Sequence, residues 1–368
     1  MTSFQKRVAS GLNITTVSRD QVQEHFITIT PEKGETPDSQ FHRAAQAVRQ
    51  VDGQIVSVET LGFSSADRNA LGVLTKMADG GSVPLAWVEN SRTDNLCGVH
   101  VWAVSGTQVQ PLTINGRRAG SLFDDGTVQY CRLAGLLPLD VRVGRPEQAA
   151  AVFAQMDTLL HSVGMTFNDV LRTWFYNDNI LGWYKDFNGV RNKFFTEHKV
   201  FEGLLPASTG IGGRNLAGAA LLAGVLAIKT DSQDVTAFEV PSPMQSPAPS
   251  YGSSFSRAVE LEQPDLRRMY ISGTASIDEH GKSVFLNDSA AQIRQTMDVV
   301  GAILRSREMD WGDVTRSLVY FKRAKDAPLF RRYCDESGIP PFPAVIAEND
   351  VCRDELLFEI EVDAMAAK

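Results

Sequence analysis

Cysteine is scarce in this chain. Four residues, Cys97, Cys131, Cys334 and Cys352, are scattered through 368 positions, with no metal-ligand spacing among them. That pattern excludes a disulfide-stapled scaffold, and reduced thiols in the cytoplasm are the expected state. Long apolar runs are missing as well. The most apolar stretch, Leu216–Ile228, is glycine-rich and too short to span a bilayer, so it reads as buried strands and no membrane partner is expected. The first residues, Met1-Thr-Ser-Phe-Gln-Lys-Arg, lack the apolar centre of a signal peptide. Basic residues are outnumbered, 36 against 44 acidic, for a net charge of −8, and no Lys/Arg block stands out. A surface that tracks phosphates is therefore not expected, nor is a nucleic-acid partner. With only six histidines there is no Ser/His/Asp order, and neither a phosphate loop nor zinc spacing occurs. No metal and no cofactor are expected.

What is present describes an ordinary globular protein, 43% hydrophobic and 22% charged, and long enough for two or three domains. After a polar stretch to about residue 20, similar elements recur three times. The first pass reads as a strand at Glu24–Thr30, a helix at Phe41–Val48, a strand at Gln54–Phe63, a helix at Ser65–Met77, and strands at Pro84–Glu89 and Gly98–Val104. The second opens at Gly126–Leu139 and continues with a helix at Pro146–Val163, a strand at Asp169–Tyr176, a helix through Tyr184 and Phe195, and closing strands after Pro206. A Pro/Ser-rich segment, Val240–Ser254, has the composition of a linker. The third pass has a strand at Arg268–Ile277, a helix at Ala290–Arg305, a strand at Asp313–Tyr320, a helix around Phe330–Cys334 and a last strand containing Glu359. Asp169-Val-x-Arg-x-x-x-Tyr176 repeats as Asp313-Val-x-Arg-x-x-x-Tyr320, which marks an internal duplication. The expected division is 1–111, 112–235, a linker at 236–255, and 256–368.

The last strand carries the most chemistry. In Leu356–Ala364 apolar residues alternate with Leu357, Glu359, Glu361 and Asp363, so three carboxylates share one face. Directly upstream lie Cys352 and Arg353, and a neighbouring guanidinium lowers a thiol pKa. Cys352 stands as a candidate nucleophile or as a thiol lining a pocket. Tyr184 and Arg191 lie seven residues apart, two turns along one helical face. Gly210-Ile-Gly212-Gly offers backbone N–H groups for a carboxylate. Thr274 has the look of a ladder hydroxyl or a ligand.

Taken together, Ser272-Gly-Thr-Ala275, Gly135-Leu-Leu-Pro-Leu139, the two Asp-Val pairs, Pro343-Ala344 and Glu359-Ile-Glu361 resemble the YjgF/Rid (endoribonuclease L-PSP) superfamily. That resemblance implies an α+β fold of three Rid-like units with the chorismate-mutase-like barrel, fused into a pseudo-trimer that works as a monomer or a weak homo-oligomer. Members of that superfamily have been described as RNA-cleaving, which the charge balance here argues against. Within the superfamily the layout resembles the chorismatases, through Pro206-Ala-x-Thr-Gly-Ile-Gly212, Ser272–Ile277, Val351–Glu361 and Tyr184-x-x-Phe-Asn-x-x-Arg191. The implied activity is hydrolysis of the enol ether of a small carboxylated metabolite. Glu359 would be its proton donor and Arg191 a holder of a substrate carboxylate. The alternative is an imine deaminase, or a binding protein without turnover. The deaminase branch uses an arginine after Pro-Ala, where this chain has Ser208 and Val345, so Arg214 or Arg353 would have to serve instead.

Overall fold

A computed structural model describes residues 2–62, 83–90 and 96–368. The helix expected at Ser65–Met77 lies outside them. Three six-stranded sheets follow one another along the chain. The first contains β1 (Ser3–Ala9), β2 (Leu12–Arg19), β3 (Val22–Ile29), β4 (Gln54–Gly62), β5 (Leu85–Val88) and β6 (Leu96–Ser105), with helix α1 (Pro37–Gln50). The second contains β7 (Gln110–Ile114), β8 (Arg117–Asp124), β9 (Gln129–Leu136), β10 (Val170–Asn177), β11 (Ala207–Gly212) and β12 (Leu221–Lys229), with α2 (Arg145–Ser162) and α3 (Ile180–Glu197). The third contains β13 (Thr236–Val240), β14 (Ala258–Glu262), β15 (Leu266–Ala275), β16 (Val314–Phe321), β17 (Val345–Glu348) and β18 (Phe358–Ala367), with α4 (Ser289–Ser306) and α5 (Ala327–Glu336).

Their strand orders are β1-β2-β3-β6-β4-β5, β7-β8-β9-β12-β10-β11 and β13-β14-β15-β18-β16-β17. This is one topology three times, so the first pass, with little sequence identity to the others, has the same architecture. The fold is α+β, three units in a single chain. The short parallel strand at the end of each sheet lies against the next unit: β5 on β9, β11 on β15, β17 on β6. Each of these edges is thereby covered within the chain.

The duplicated Asp-Val pairs have a local cause. Asp169 closes a capping box with Thr166, accepting its backbone N–H at 2.6 Å, and Asp313 does the same for Asp310 at 2.8 Å. Each turn then releases a valine as the first residue of a strand that is buried throughout. Where the three units meet, charges pair out of solvent. Arg316 bonds Glu59, Glu361 and Asp363, and Arg132 bonds the other oxygen of Glu59 at 2.9 Å, joining all three units through buried ion pairs. Trp174 lies beneath this cluster, with the guanidinium of Arg132 4.0 Å from its ring centre. Such a network favours one arrangement of units over others more than it adds net stability.

Four expectations need correction. The polar first twenty residues form a hairpin turning at Gly11 with φ +58°, of which β1 is exposed and β2 is partly buried through Ile14, Thr15 and Val17. The second unit begins before residue 126, with the β7–β8 hairpin. Its Asn115-Gly116 turn has positive φ at both residues, as a two-residue hairpin turn demands. Within Leu216–Ile228 only Leu221 onward is strand, because Gly218 (φ +65°) and the Asn215 side chain hold residues 215–219 in a turn. Finally, the segment taken as a linker begins as strand β13, paired with β14, and its remainder, though partly exposed, is fastened to both flanking units. Gln245 donates to the carbonyls of Ala275 and Ile277, and Ser254 donates to Asn192 at 2.6 Å.

Candidate active site between the second and third units

A cleft of about 580 Å³ opens where β11 and α3 of the second unit face β15 and β18 of the third. Its wall includes Tyr184, Arg191, Ser208 and Gly210 from the second unit, Gly273, Ala275, Ile277, Cys352, Arg353 and Glu359 from the third, and Tyr251, Ser253, Phe255 and Arg257 from the connecting segment. Composition alone hid that last group. The interleaving of Tyr251, Phe255 and Arg257 in an otherwise Pro/Ser-rich stretch was the signal available.

Strand β15 is bulged at Ser272-Gly273, since its pairing with β18 shifts between Ile271 and Thr274. Bulges of this kind re-aim side chains beside active sites. Ser272 fixes the bulge by donating to the Ser256 carbonyl at 2.5 Å and accepting from the Ser208 N–H at 2.8 Å, which ties three chain segments together. Gly273 is thereby set against Glu359. A Cβ at this glycine would stand 2.2 Å from Glu359 Oε1 and 3.2 Å from Thr209 Cγ2.

Glu359 is 4% exposed. Burial, reinforced by the charge of Glu361 and opposed by Arg172, pushes its carboxyl pKa up to about 8. A carboxylic acid that keeps its proton near neutrality can donate it. The three acidic residues of β18 are all buried, so the alternating strand does not present a solvated face. Arg191 is 2% exposed and its Nε has no hydrogen-bond partner. Burial lowers its pKa, while Tyr184 and Cys352 act in the opposite sense. Arg257 is equally buried. Its Nε donates to the Ser246 carbonyl at 3.1 Å, its Nη2 has no partner, and its guanidinium lies 5.4 Å from the Tyr251 ring centre. Among the described residues no carboxylate pairs with either arginine. Two buried cations with unused donors beside a protonated acid suit a ligand that brings its own carboxylates.

The other expected residues divide into two groups. Tyr184, Gly210, Arg353 and Cys352 line the cleft, Tyr184 packing on Gly210 and Arg353 donating to the Gly281 carbonyl at 2.8 Å. The thiol of Cys352 does not behave as its neighbour Arg353 suggested. Burial and the charge of Glu359 raise it to about 12, so it is no ready thiolate and serves as a wall of the cleft. Gly212, Thr274 and Arg214 are not part of the cleft. The N–H of Gly212 is used by the Asp350 carbonyl at 2.7 Å, and the Thr274 hydroxyl donates to the Ser272 carbonyl at 2.8 Å. Arg214 is turned to the first unit, donating to the Asn90 carbonyl at 3.1 Å.

Strand register shows why one cleft differs from the other two. Counting from the bulges in β4, β10 and β16, Leu61, Tyr176 and Tyr320 are equivalent, and they face Gly98, Leu222 and Glu359. Leu222 sits in the apolar cluster at the centre of the molecule. At Gly98 a Cβ would lie 2.8 Å from Val345, which fills that position. Glu359 is thus the single acid at this position among the three units.

No family model matches the chain. It is 30% identical to a chorismatase from Streptomyces hygroscopicus over 264 residues, 64% of this chain and 74% of that protein. It is 28% identical to a 3-hydroxybenzoate synthase from the same organism over 275 residues, 67% of this chain and 77% of that protein. A crystal structure of a chorismatase superposes with a TM-score of 0.66 at 19% identity, covering 94% of this chain and all of the other, and so has the same fold.

Proposed function

The chain belongs to the chorismatase family, and from that premise we propose that it releases pyruvate from chorismate, with Glu359 as the general acid. The single observation that carries this reading is the pairing of a protonated, buried Glu359 with two buried arginines whose donors are unused. Chorismate bears two carboxylates, one on its ring and one on the enolpyruvyl side chain. Arg191 and Arg257 offer each a charged donor, and Arg353 adds a third at the mouth. Glu359 delivers its proton to the terminal methylene carbon of the enol ether. The adjacent carbon becomes an oxocarbenium ion, water adds there, and the resulting hemiketal collapses to pyruvate and a ring alcohol. Glu359 recovers its proton from the added water, so the cycle closes without oxidant or cofactor.

The imine-deaminase alternative loses one of its two substitute arginines, leaving Arg353 alone in the cleft. Arg214 lies outside the cleft, and Ser208 occupies the position where that branch has its anchor. Release of pyruvate from chorismate, followed by coupling to lactate dehydrogenase, tests the proposal. Run in deuterium oxide, the reaction predicts one deuterium in the pyruvate methyl group, placed there by Glu359. Chromatography of the ring product distinguishes a dihydroxy diene acid from an aromatic hydroxybenzoate. Absence of pyruvate above the uncatalysed rate contradicts the proposal.

A further inference from the structure

Two arginines occupy equivalent places in the duplicated strands, four residues before Tyr176 and Tyr320, yet their surroundings differ. Arg316 is saturated by carboxylates, bonding Glu59, Glu361 and Asp363. Arg172 is fully buried and uses one nitrogen, Nη2, for both of its bonds: Glu361 at 3.1 Å and the Thr209 hydroxyl at 2.7 Å. Its Nε and Nη1 are buried without a hydrogen-bond partner. We propose that Arg172 is a positioning residue for Glu359, the N–H groups of its two unused nitrogens stabilising the carboxylate that Glu359 becomes once its proton has gone to substrate.

The inference rests on Glu359 being the acid. After proton transfer, a carboxylate stands in a closed cleft about 7 Å from Glu361 on the same face of the strand. Glu361 already accepts hydrogen bonds from Trp174, Arg316 and Arg172. An unpaired anion there is strongly disfavoured, which would weaken the acid. Arg172 is near enough to draw the Glu359 pKa down. Thr209 provides the register: its hydroxyl takes a bond from Arg172 and another from the N–H of Gly273 at 3.1 Å, the residue whose α-carbon faces Glu359. At the equivalent position toward the first unit, where Gly98 stands in place of Glu359, the arginine is the fully paired Arg316.

The experiment compares Arg172→Met and Arg172→Lys with the unmodified chain by two readouts. One is the basic limb of the kcat/KM pH profile. The other is an infrared titration of the protonated-carboxyl band that disappears in Glu359→Gln, which needs no substrate. Removal of the charge should raise the Glu359 midpoint above its starting value of about 8. It should also lower kcat by at least about tenfold, with KM changed by less than about threefold. Lysine, which keeps the charge, should return the midpoint toward the original. An unmoved midpoint in Arg172→Met, or identical midpoints in the two variants, overturns the inference. Should Arg172→Met fail to fold, Thr209→Val leaves the charge and removes its anchor. A fall in kcat at constant KM then supports the inference, and an unchanged kcat overturns it. Full turnover in Glu359→Gln would instead overturn the assignment of the acid, while the infrared comparison would still report whether Arg172 and Glu359 are coupled.

Discussion

The proton on Glu359 links the site to the stability of the whole chain. Its pKa of about 8 in the folded protein lies above the ordinary glutamate value of 4.5 that it takes when unfolded. Between those values the native state holds a proton that the unfolded chain has released. The associated stability is therefore complete below about 4.5 and is lost as the pH rises to about 8. Glu359→Gln removes this dependence. Relative to the unmodified chain, the variant should gain stability on going from pH 5 to pH 8.5, by an amount on the order of a few kcal/mol. Urea midpoints at the two pH values measure it, and parallel curves would show that Glu359 titrates normally. Gly273 sets the second expectation at this scale. In Gly273→Ala the new methyl would displace the Glu359 carboxyl, so kcat should fall about tenfold or more while the unfolding midpoint moves little. Glu359, Arg191, Tyr184 and Gly210 were legible in sequence through a family resemblance. Arg172 was not, because nothing in an Asp-Val-x-Arg repeat says which copy has its donors spent.

Among the elements, the connecting segment that follows β13 was the least legible and matters most to the site. Proline and serine describe a chain without regular structure, but they do not say whether it is solvated or packed. Here Gln245, Ser254 and Arg257 fasten it to both flanking units, and it contributes one of the two buried arginines. Arg257→Gln should raise KM for chorismate by about ten- to a hundredfold with a smaller effect on kcat, as loss of a charge-assisted carboxylate contact does. Steady-state kinetics with pyruvate detection checks this, and an unchanged KM would mean that the substrate does not reach this wall. The regular elements were easier to read. Helices with apolar residues at helical spacing and strands entered through Asp-Val stand where their patterns put them. In the hairpins β1–β2 and β7–β8 the outer strands β1 and β7 are exposed and carry no apolar pattern, and turn residues such as Asn115-Gly116 announce them better than their strands do.

At the scale of the molecule, three units of one topology have a carboxyl at the position of Glu359 in one unit alone. The edges β5, β11 and β17 that a separate trimer would use for assembly are each covered by the next unit of the same chain. The protein is therefore expected to sediment as a monomer of 40.3 kDa, and a stable trimer would contradict the closed arrangement. The other clefts are not dormant sites awaiting one substitution. Leu222 is 2% exposed within the central apolar cluster. Leu222→Glu should destabilise the fold by about 3–5 kcal/mol without adding activity, because the new carboxyl would be buried with no arginine pair beside it. Thermal unfolding and pyruvate release measure both parts of that expectation.

The central claim is that Glu359 moves the proton while other groups hold the substrate. The most direct measurement is Glu359→Gln, assayed for pyruvate release and, by calorimetric titration, for chorismate binding. The account predicts turnover lower by about 10²–10⁴, with the dissociation constant within about threefold of the unmodified chain. Undiminished turnover, or loss of binding in proportion to activity, would contradict it.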